Sequence, residues 1–268
     1  SGSGCQDQQV ITVYQNASIT SSAADMCEGQ TRTLNASIGP GFWSATCGGC
    51  VSGNIFTAPV PSGNSATYTI SYAVIGSACN AATQNITVYA QPVLTIPSAV
   101  CESSTASVSS TKNVTWSAAS GSFSPGSGTS SSYSPANLTA PTASSTILIT
   151  GTNGACSASG NITVWNNANI TSSAAAMCEG STRTLTADIG PGTWTGDCGA
   201  CVSGTTFTAP TPVGNMSTNT MTYTVTGSAC AAPKQDIDVY HLPSTANAGP
   251  NVTNGCGLGT TLQGVAPT

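Results

Sequence analysis

The residue type through which this sequence could do chemistry is cysteine, present twelve times in 268 residues. Cys47-Gly-Gly-Cys50 and Cys198-Gly-Ala-Cys201 are CxxC pairs, a spacing that serves either as half a zinc site or as a redox dithiol. Zinc needs four ligands, and these two motifs are separated by a whole domain's length with no histidine beside them. A redox CxxC opens a helix in a βαβ setting, and no such pattern surrounds either motif. The expected role is a staple across a tight turn, Cys47–Cys50 and Cys198–Cys201, with glycine supplying the unusual backbone angles.

The other cysteines bracket tryptophans. Cys27…Trp43…Cys79, Cys101…Trp116…Cys156 and Cys178…Trp194…Cys230 each place an indole 15 or 16 residues after the first cysteine. A disulfide packed on a buried tryptophan is the core device of an immunoglobulin-like sandwich. The middle segment has Cys101 and Cys156 alone, so these two pair if its bridge is internal. Internal homology then pairs Cys27 with Cys79 and Cys178 with Cys230, and makes Trp43, Trp116 and Trp194 core residues. Closing a loop of about 50 residues stabilises by roughly 3–4 kcal/mol on the chain-entropy model.

Little else could catalyse. Thirteen charged side chains, one histidine and a net charge of −5 argue against acid–base chemistry and against nucleic acid, whose binding needs cations to replace phosphate counterions. Glu28 with Arg32, and Glu179 with Arg183, read as exposed ion pairs at strand edges, worth under about 1 kcal/mol. Asp236 and Asp238 could begin a calcium clamp, but they lack further acidic ligands. His241 lies in the linker HLPSTANAGP with no nucleophile to serve. No metal or cofactor is expected. Sequons for N-glycosylation stand at Asn16, Asn35, Asn85, Asn113, Asn137, Asn161, Asn169, Asn215 and Asn251. Asn85 and Asn161 share the context NIT before Val-Tyr or Val-Trp, where Ile and Val face inward and Asn outward.

These residues recur with a period. Asn16–Tyr89 returns as Asn167–Tyr240, each matching pair separated by 151 positions as Cys27 is from Cys178. The stretch between is a diverged third copy, so the repeat is about 75 residues. Cys5 with VITVY has the form of a repeat's tail, and the sequence around Cys256 that of a repeat's opening. The expected organisation is 1–14, terminal strands of a preceding repeat; 15–90, repeat 1; 91–165, a diverged repeat 2; 166–240, repeat 3; and 241–268, the opening of a further repeat. Cys5 and Cys256 are expected to pair with neighbouring repeats or subunits. Short alternating runs such as TYTISYAVI and MTYTVTGS between Gly, Pro, Asn and Ser clusters predict antiparallel strands. The expected fold class is therefore all-β, a tandem of disulfide-stapled, immunoglobulin-like antiparallel sandwiches. No run approaches the ~20 apolar residues of a membrane span.

The phrases SAVCESSTASV, MCEGSTRTLTADIGPGTWTG, ACNAATQNITVYAQP and ANAGPNVTNGCGLGTTLQG resemble the tandem Ig-like or PKD-like repeats of very large secreted surface proteins of Bacteroidota, including the gliding-motility adhesins. The resemblance covers essentially the whole sequence and concerns a style of repeat. It implies Sec-dependent export followed by type IX secretion, surface anchoring, and a role as stalk, filament or adhesin without catalytic residues. The signals for that route are expected outside these 268 residues. The function expected is thus a structural or adhesive segment of an extracellular, cell-surface fibre, its partners being adjacent repeats or identical subunits and, further, surface glycans. Two alternatives stand beside it. One is a polymerising subunit completed by a neighbour's strands. The other is a carbohydrate-binding array, which would need exposed tryptophans as sugar platforms.

Overall fold

The computed structural model describes residues 9–243, and every regular element in them is a strand. Repeat 1 contributes β1 (Met26–Cys27), β2 (Thr31–Thr33), β3 (Gly41–Ala45), β4 (Val51–Ser52), β5 (Ile55–Thr57), β6 (Ser65–Val74) and β7 (Ala82–Tyr89). Repeat 2 contributes β8 (Leu94–Thr95), β9 (Ala99–Cys101), β10 (Ala106–Ala118), β11 (Ser122–Ser124), β12 (Ser127–Ser134), β13 (Ser144–Asn153) and β14 (Cys156–Trp165). Repeat 3 contributes β15 (Met177–Cys178), β16 (Thr182–Thr184), β17 (Gly192–Gly196), β18 (Val202–Ser203), β19 (Thr206–Thr208), β20 (Met216–Val225) and β21 (Lys234–Tyr240). Each repeat holds seven strands, and the fold is a tandem of immunoglobulin-like β-sandwiches.

In repeat 1 a four-stranded sheet, β1-β7-β6-β3, faces a three-stranded one, β2-β5-β4. The alternation in β6 and β7 decides which side chains meet between them. Ile70, Ile86 and Val88 from one sheet pack with Phe56 from the other, beside Met26, Leu34 and Ala58. Repeat 3 repeats the plan, its core formed by Leu185, Phe207, Ala209, Met221, Ile237 and Val239. Tyr72 closes one corner of repeat 1 by donating its hydroxyl to the Ile38 carbonyl at 2.9 Å, and Tyr223 does the same to Ile189 at 2.7 Å.

Repeat 2 builds the sandwich differently. Its β10 runs thirteen residues and serves both layers, pairing with β8 and β12 and, after a register shift between Ser109 and Val114, with β13. A bulge of this kind bends a strand enough to carry it from one layer to the next. Its seven strands accordingly form one continuous sheet.

By compactness the chain divides into two units. Of the described residues, one comprises those through Val100 with Ser104–Ala136 and Thr146–Val164; the other comprises Cys101–Ser103, Asn137–Ser145 and those from Trp165 onward. The tip of repeat 2 thus belongs, by its contacts, with repeat 3.

Phe207 is fully buried at the centre of its core, whereas Val213 is 95% exposed. Phe207→Ala is expected to lower unfolding stability by about 3–5 kcal/mol, and Val213→Ala to leave it within about 0.5 kcal/mol. Denaturant midpoints of the full chain check both.

Candidate functional site

The cysteines do not pair as the sequence suggested. The disulfides are Cys27–Cys156 and Cys101–Cys230, each spanning 129 residues, together with the staples Cys47–Cys50 and Cys198–Cys201. The expected Cys27–Cys79, Cys101–Cys156 and Cys178–Cys230 bridges are absent. The reason lies in strand direction. β1 runs parallel to β7, with Cys27 in register with Tyr89 at its far end. Cys79 lies at the other end of β7, in the turn that precedes it. Eight residues of strand at ~3.3 Å each hold the two thiols far beyond disulfide reach. The opening cysteine of a repeat therefore stands at its exit, where the late turn of the following repeat arrives.

In the first unit that arrival is built around Tyr89. The Glu28 amide donates to the Tyr89 carbonyl at 2.9 Å, and the Cys156 sulfur lies 3.1 Å from the same oxygen. Gly154 has φ +55°, and a Cβ on it would overlap the Tyr89 ring, so glycine alone lets the turn close over the tyrosine. Asn153 is buried and donates its side-chain amide to the carbonyls of Asn64 and Ala90 at 2.9 and 2.8 Å. Gln91 donates to the Ser157 carbonyl at 2.7 Å. The Cα atoms of Cys27 and Cys156 are 4.9 Å apart, a normal disulfide separation.

The second unit contains the same device with different residues. The Glu102 amide donates to the Trp165 carbonyl at 2.9 Å, and its carboxylate accepts from the amides of Leu138 (2.7 Å) and Asn167 (3.2 Å). Buried Asn166 donates to the Thr142 carbonyl at 3.0 Å. Gly227, φ +81°, lies under the Trp165 ring, 3.3 Å from where its Cβ would stand. Cys101 and Cys230 close the junction with a Cα separation of 5.6 Å. Among the described residues, Cys79 and Cys178 are left as free thiols.

The CxxC staples sit where β3 hands over to β4 and β17 to β18. Gly48, Gly49 and Gly199 there have φ of +50°, +78° and +74°. The sulfurs pack against the cores beside Trp43 and Trp194. Repeat 2 has no CxxC staple; in it Trp116 stacks on Phe123 and Phe123 lies tilted against Tyr133, with ring centroids 6.0 and 5.1 Å apart. Only Trp116 is a true core residue, at 5% exposure. Trp43 and Trp194 lie on edge strands, half-buried, each with one face on a tyrosine at 4.5 or 4.7 Å. None of the three packs on a disulfide between its flanking cysteines.

The acidic residues also find structural work. Arg32 and Arg183 donate to backbone carbonyls of Ser22, Ala24 and Ser173 and not to Glu28 or Glu179. Glu179 instead pairs with His241 at 2.9 Å. Asp236 and Asp238 each accept from a threonine of the neighbouring strand, Thr220 and Thr218 at 2.7 Å. Asn85 and Thr87 take those places in repeat 1, facing Thr69 and Thr67. Asp188 and Asp197 cap the amides of Asn169 and Thr220, as Ser37 and Thr46 cap Ser18 and Thr69. The described residues contain no cluster of three metal-ligating side chains. Asn16, Asn35, Asn85, Asn113, Asn137, Asn161, Asn169 and Asn215 are all exposed. Cys5, Cys256 and Asn251 lie outside the described residues.

Three outcomes follow. Gly154→Val should prevent the Tyr89 turn from closing, so that Cys27 and Cys156 become open to alkylation and about 5 kcal/mol of cross-link stabilisation is lost. Gly76→Val, at a site where a Cβ meets nothing, should cost only the strain of its φ of +72°, about 1–3 kcal/mol. The Leu242 amide first, and His241 after it, hold the Glu179 carboxyl below its ordinary value, against the opposing effect of desolvation. A depressed carboxylate pKa stabilises above the unfolded value and ceases to do so as pH falls through the folded one. The Glu179 carboxyl signal in NMR should therefore titrate with a midpoint below that of a free glutamate, and the Leu242 amide should shift with it.

No protein-family model and no curated protein sequence matches the chain. Solved structures to which it is similar include a three-domain immunoglobulin fragment of titin, at 9% identity and a TM-score of 0.36, covering 84% of this chain and 98% of that one. Another is a protocadherin Gamma B2 fragment of extracellular cadherin domains, at 11% identity and 0.27, covering 85% and 73%. A third is the N-terminal eight-domain fragment of the Down Syndrome Cell Adhesion Molecule, at 12% identity and 0.34, covering 85% and 37%. The fold assignment stands on the strand pairing itself: an all-β chain of immunoglobulin-like architecture.

Proposed function

We propose that the chain is a non-catalytic structural or adhesive segment of an extracellular, cell-surface fibre, in which consecutive repeats are covalently locked to each other. The observation that carries this reading is the pair of disulfides that run between repeats. A disulfide inside a domain stabilises that domain; one across a junction fixes the junction, which is what a part bearing load between two ends requires. Such bridges form and persist in oxidising compartments outside the cytosol. The repeats are read as bounded at 15–90, 91–165 and 166–240, with adjacent repeats as the principal partners.

The surface supports the same reading. With 5% charged residues, it is hydrated mainly through Thr, Ser and Asn, many of them paired across strands. Its eight exposed sequons give room for sugars, which would add solubility without charge. The tryptophans are not the fully exposed platforms a sugar-binding array would need: Trp116 is buried, and Trp43 and Trp194 are half-buried.

Antibodies against the full chain, used for immunogold electron microscopy of intact source cells, are expected to label threads extending from the outer surface. Label confined to the cell interior would overturn the proposal. Mass spectrometry of the same material should show hexose-containing additions at several of the eight asparagines; unmodified peptides throughout would remove the glycan coat from it.

A further inference from the structure

We propose that Cys178 and Cys79 are the two open halves of the same lock, each completed by a cysteine of another repeat of this kind. Cys178 takes the cysteine of a late turn, and Cys79 takes the cysteine of an opening strand. The proposal rests on the reading of the chain as part of a repeat array and extends its cross-linking beyond Cys27–Cys156 and Cys101–Cys230.

The intact locks supply the template. In the Cys27 lock, the opening cysteine lies in register with a terminal aromatic through a parallel strand pair, Cys27 with Tyr89. Cys178 has that placement already, in register with Tyr240, and the Glu179 amide donates to the Tyr240 carbonyl at 2.9 Å as Glu28 does to Tyr89. What differs is the cover. Met26 and Cys27, beneath the late turn of repeat 2, are 2% and 7% exposed. Their twins are not sheltered: Met177 is half-buried, Cys178 is exposed, and Tyr240 is 45% exposed. A late turn laid on Tyr240 would cover all three.

Cys79 shows the complementary half. In the intact locks the late cysteine sits by the carbonyl of the preceding terminal aromatic, Cys156 by Tyr89 at 3.1 Å and Cys230 by Trp165 at 3.9 Å. The Cys79 sulfur lies 3.7 Å from the Tyr14 carbonyl, and Tyr14 ends the run VITVY as Tyr89 ends NITVY. An opening cysteine in register with Tyr14, as Cys27 is with Tyr89, would stand beside it. The turn before Cys79, Gly76-Ser77-Ala78, has the sequence of Gly227-Ser228-Ala229 before Cys230, and Gly76 shares the positive φ.

Closing each lock joins one thiol to another. Two S–H bonds break, one S–S bond forms, and two protons and two electrons leave. A disulfide oxidant, protein or small molecule, accepts them by exchange and is itself reduced to two thiols.

The test uses material from the source, alkylated under denaturing conditions and digested without reduction, with peptide pairs identified by mass spectrometry. Cys178 is expected in a bridge to a late cysteine, one followed nine or ten residues later by the aromatic that ends a repeat, and Cys79 in a bridge to an opening cysteine. A partner peptide from within residues 1–268, with a ladder of chain multiples in non-reducing electrophoresis, identifies a second copy as the source. A partner from outside those residues identifies a further repeat of a longer polypeptide. Alkylated Cys79 or Cys178, a small-thiol cap on either, a partner peptide from within residues 1–268 without chain multiples in electrophoresis, or a bridge joining two opening or two late cysteines would overturn the proposal. Absence of surface threads in microscopy would defeat the functional reading while leaving this result intact, so the two fail separately.

Discussion

The parallel pairing of a repeat's two-residue opening strand with its own last strand governs the rest of the structure. Met26 and Cys27 lie against Val88 and Tyr89, and Met177 and Cys178 against Val239 and Tyr240. This pairing moves a cysteine from the start of the repeat in sequence to its exit in space. In repeat 1 that thiol meets the late turn carrying Cys156 and is separated from Cys79 by the length of β7. The terminal aromatic, the positive-φ glycine over it and the buried Asn153 or Asn166 then complete a joint that two separate domains could not form by surface contact alone.

Small sandwiches need such help. A module of about 75 residues buries a modest core and stands near the lower limit of independent stability. Seven core side chains in repeat 1, a tyrosine corner and a local staple hold each sandwich together. The cross-junction bridges add the larger constraint. Each closes 129 residues, worth about 5 kcal/mol on the chain-entropy model. The two closed loops overlap in sequence between residues 101 and 156.

The fold class was legible, because alternating apolar and polar runs between turn residues are local patterns. The CxxC pairs were legible as well, since three-residue spacing with glycine between leaves few other geometries. The long bridges were not. Cys…Trp…Cys spacing carries no information about strand direction, and an opening strand that pairs in parallel with the last strand looks the same in sequence as one that crosses to the other sheet. One signal was present without being used. The late cysteine follows a Gly-containing turn and precedes an aromatic tail by nine or ten residues in every repeat, which places it at the entry end of the last strand. The Glu28–Arg32 and Glu179–Arg183 ion pairs were misjudged for a related reason: both arginines reach backbone carbonyls of Ser22, Ala24 and Ser173, which spacing along a strand does not reveal.

The most direct test of the cross-junction pairing is the Cys27→Ser variant of the full chain, produced in an oxidising compartment and alkylated before digestion. The account predicts that Cys156 becomes newly alkylated, while Cys101–Cys230 and both staples remain closed. Protection of Cys156 with new reactivity at Cys79 would mean that the bridge lies within repeat 1, and would contradict it.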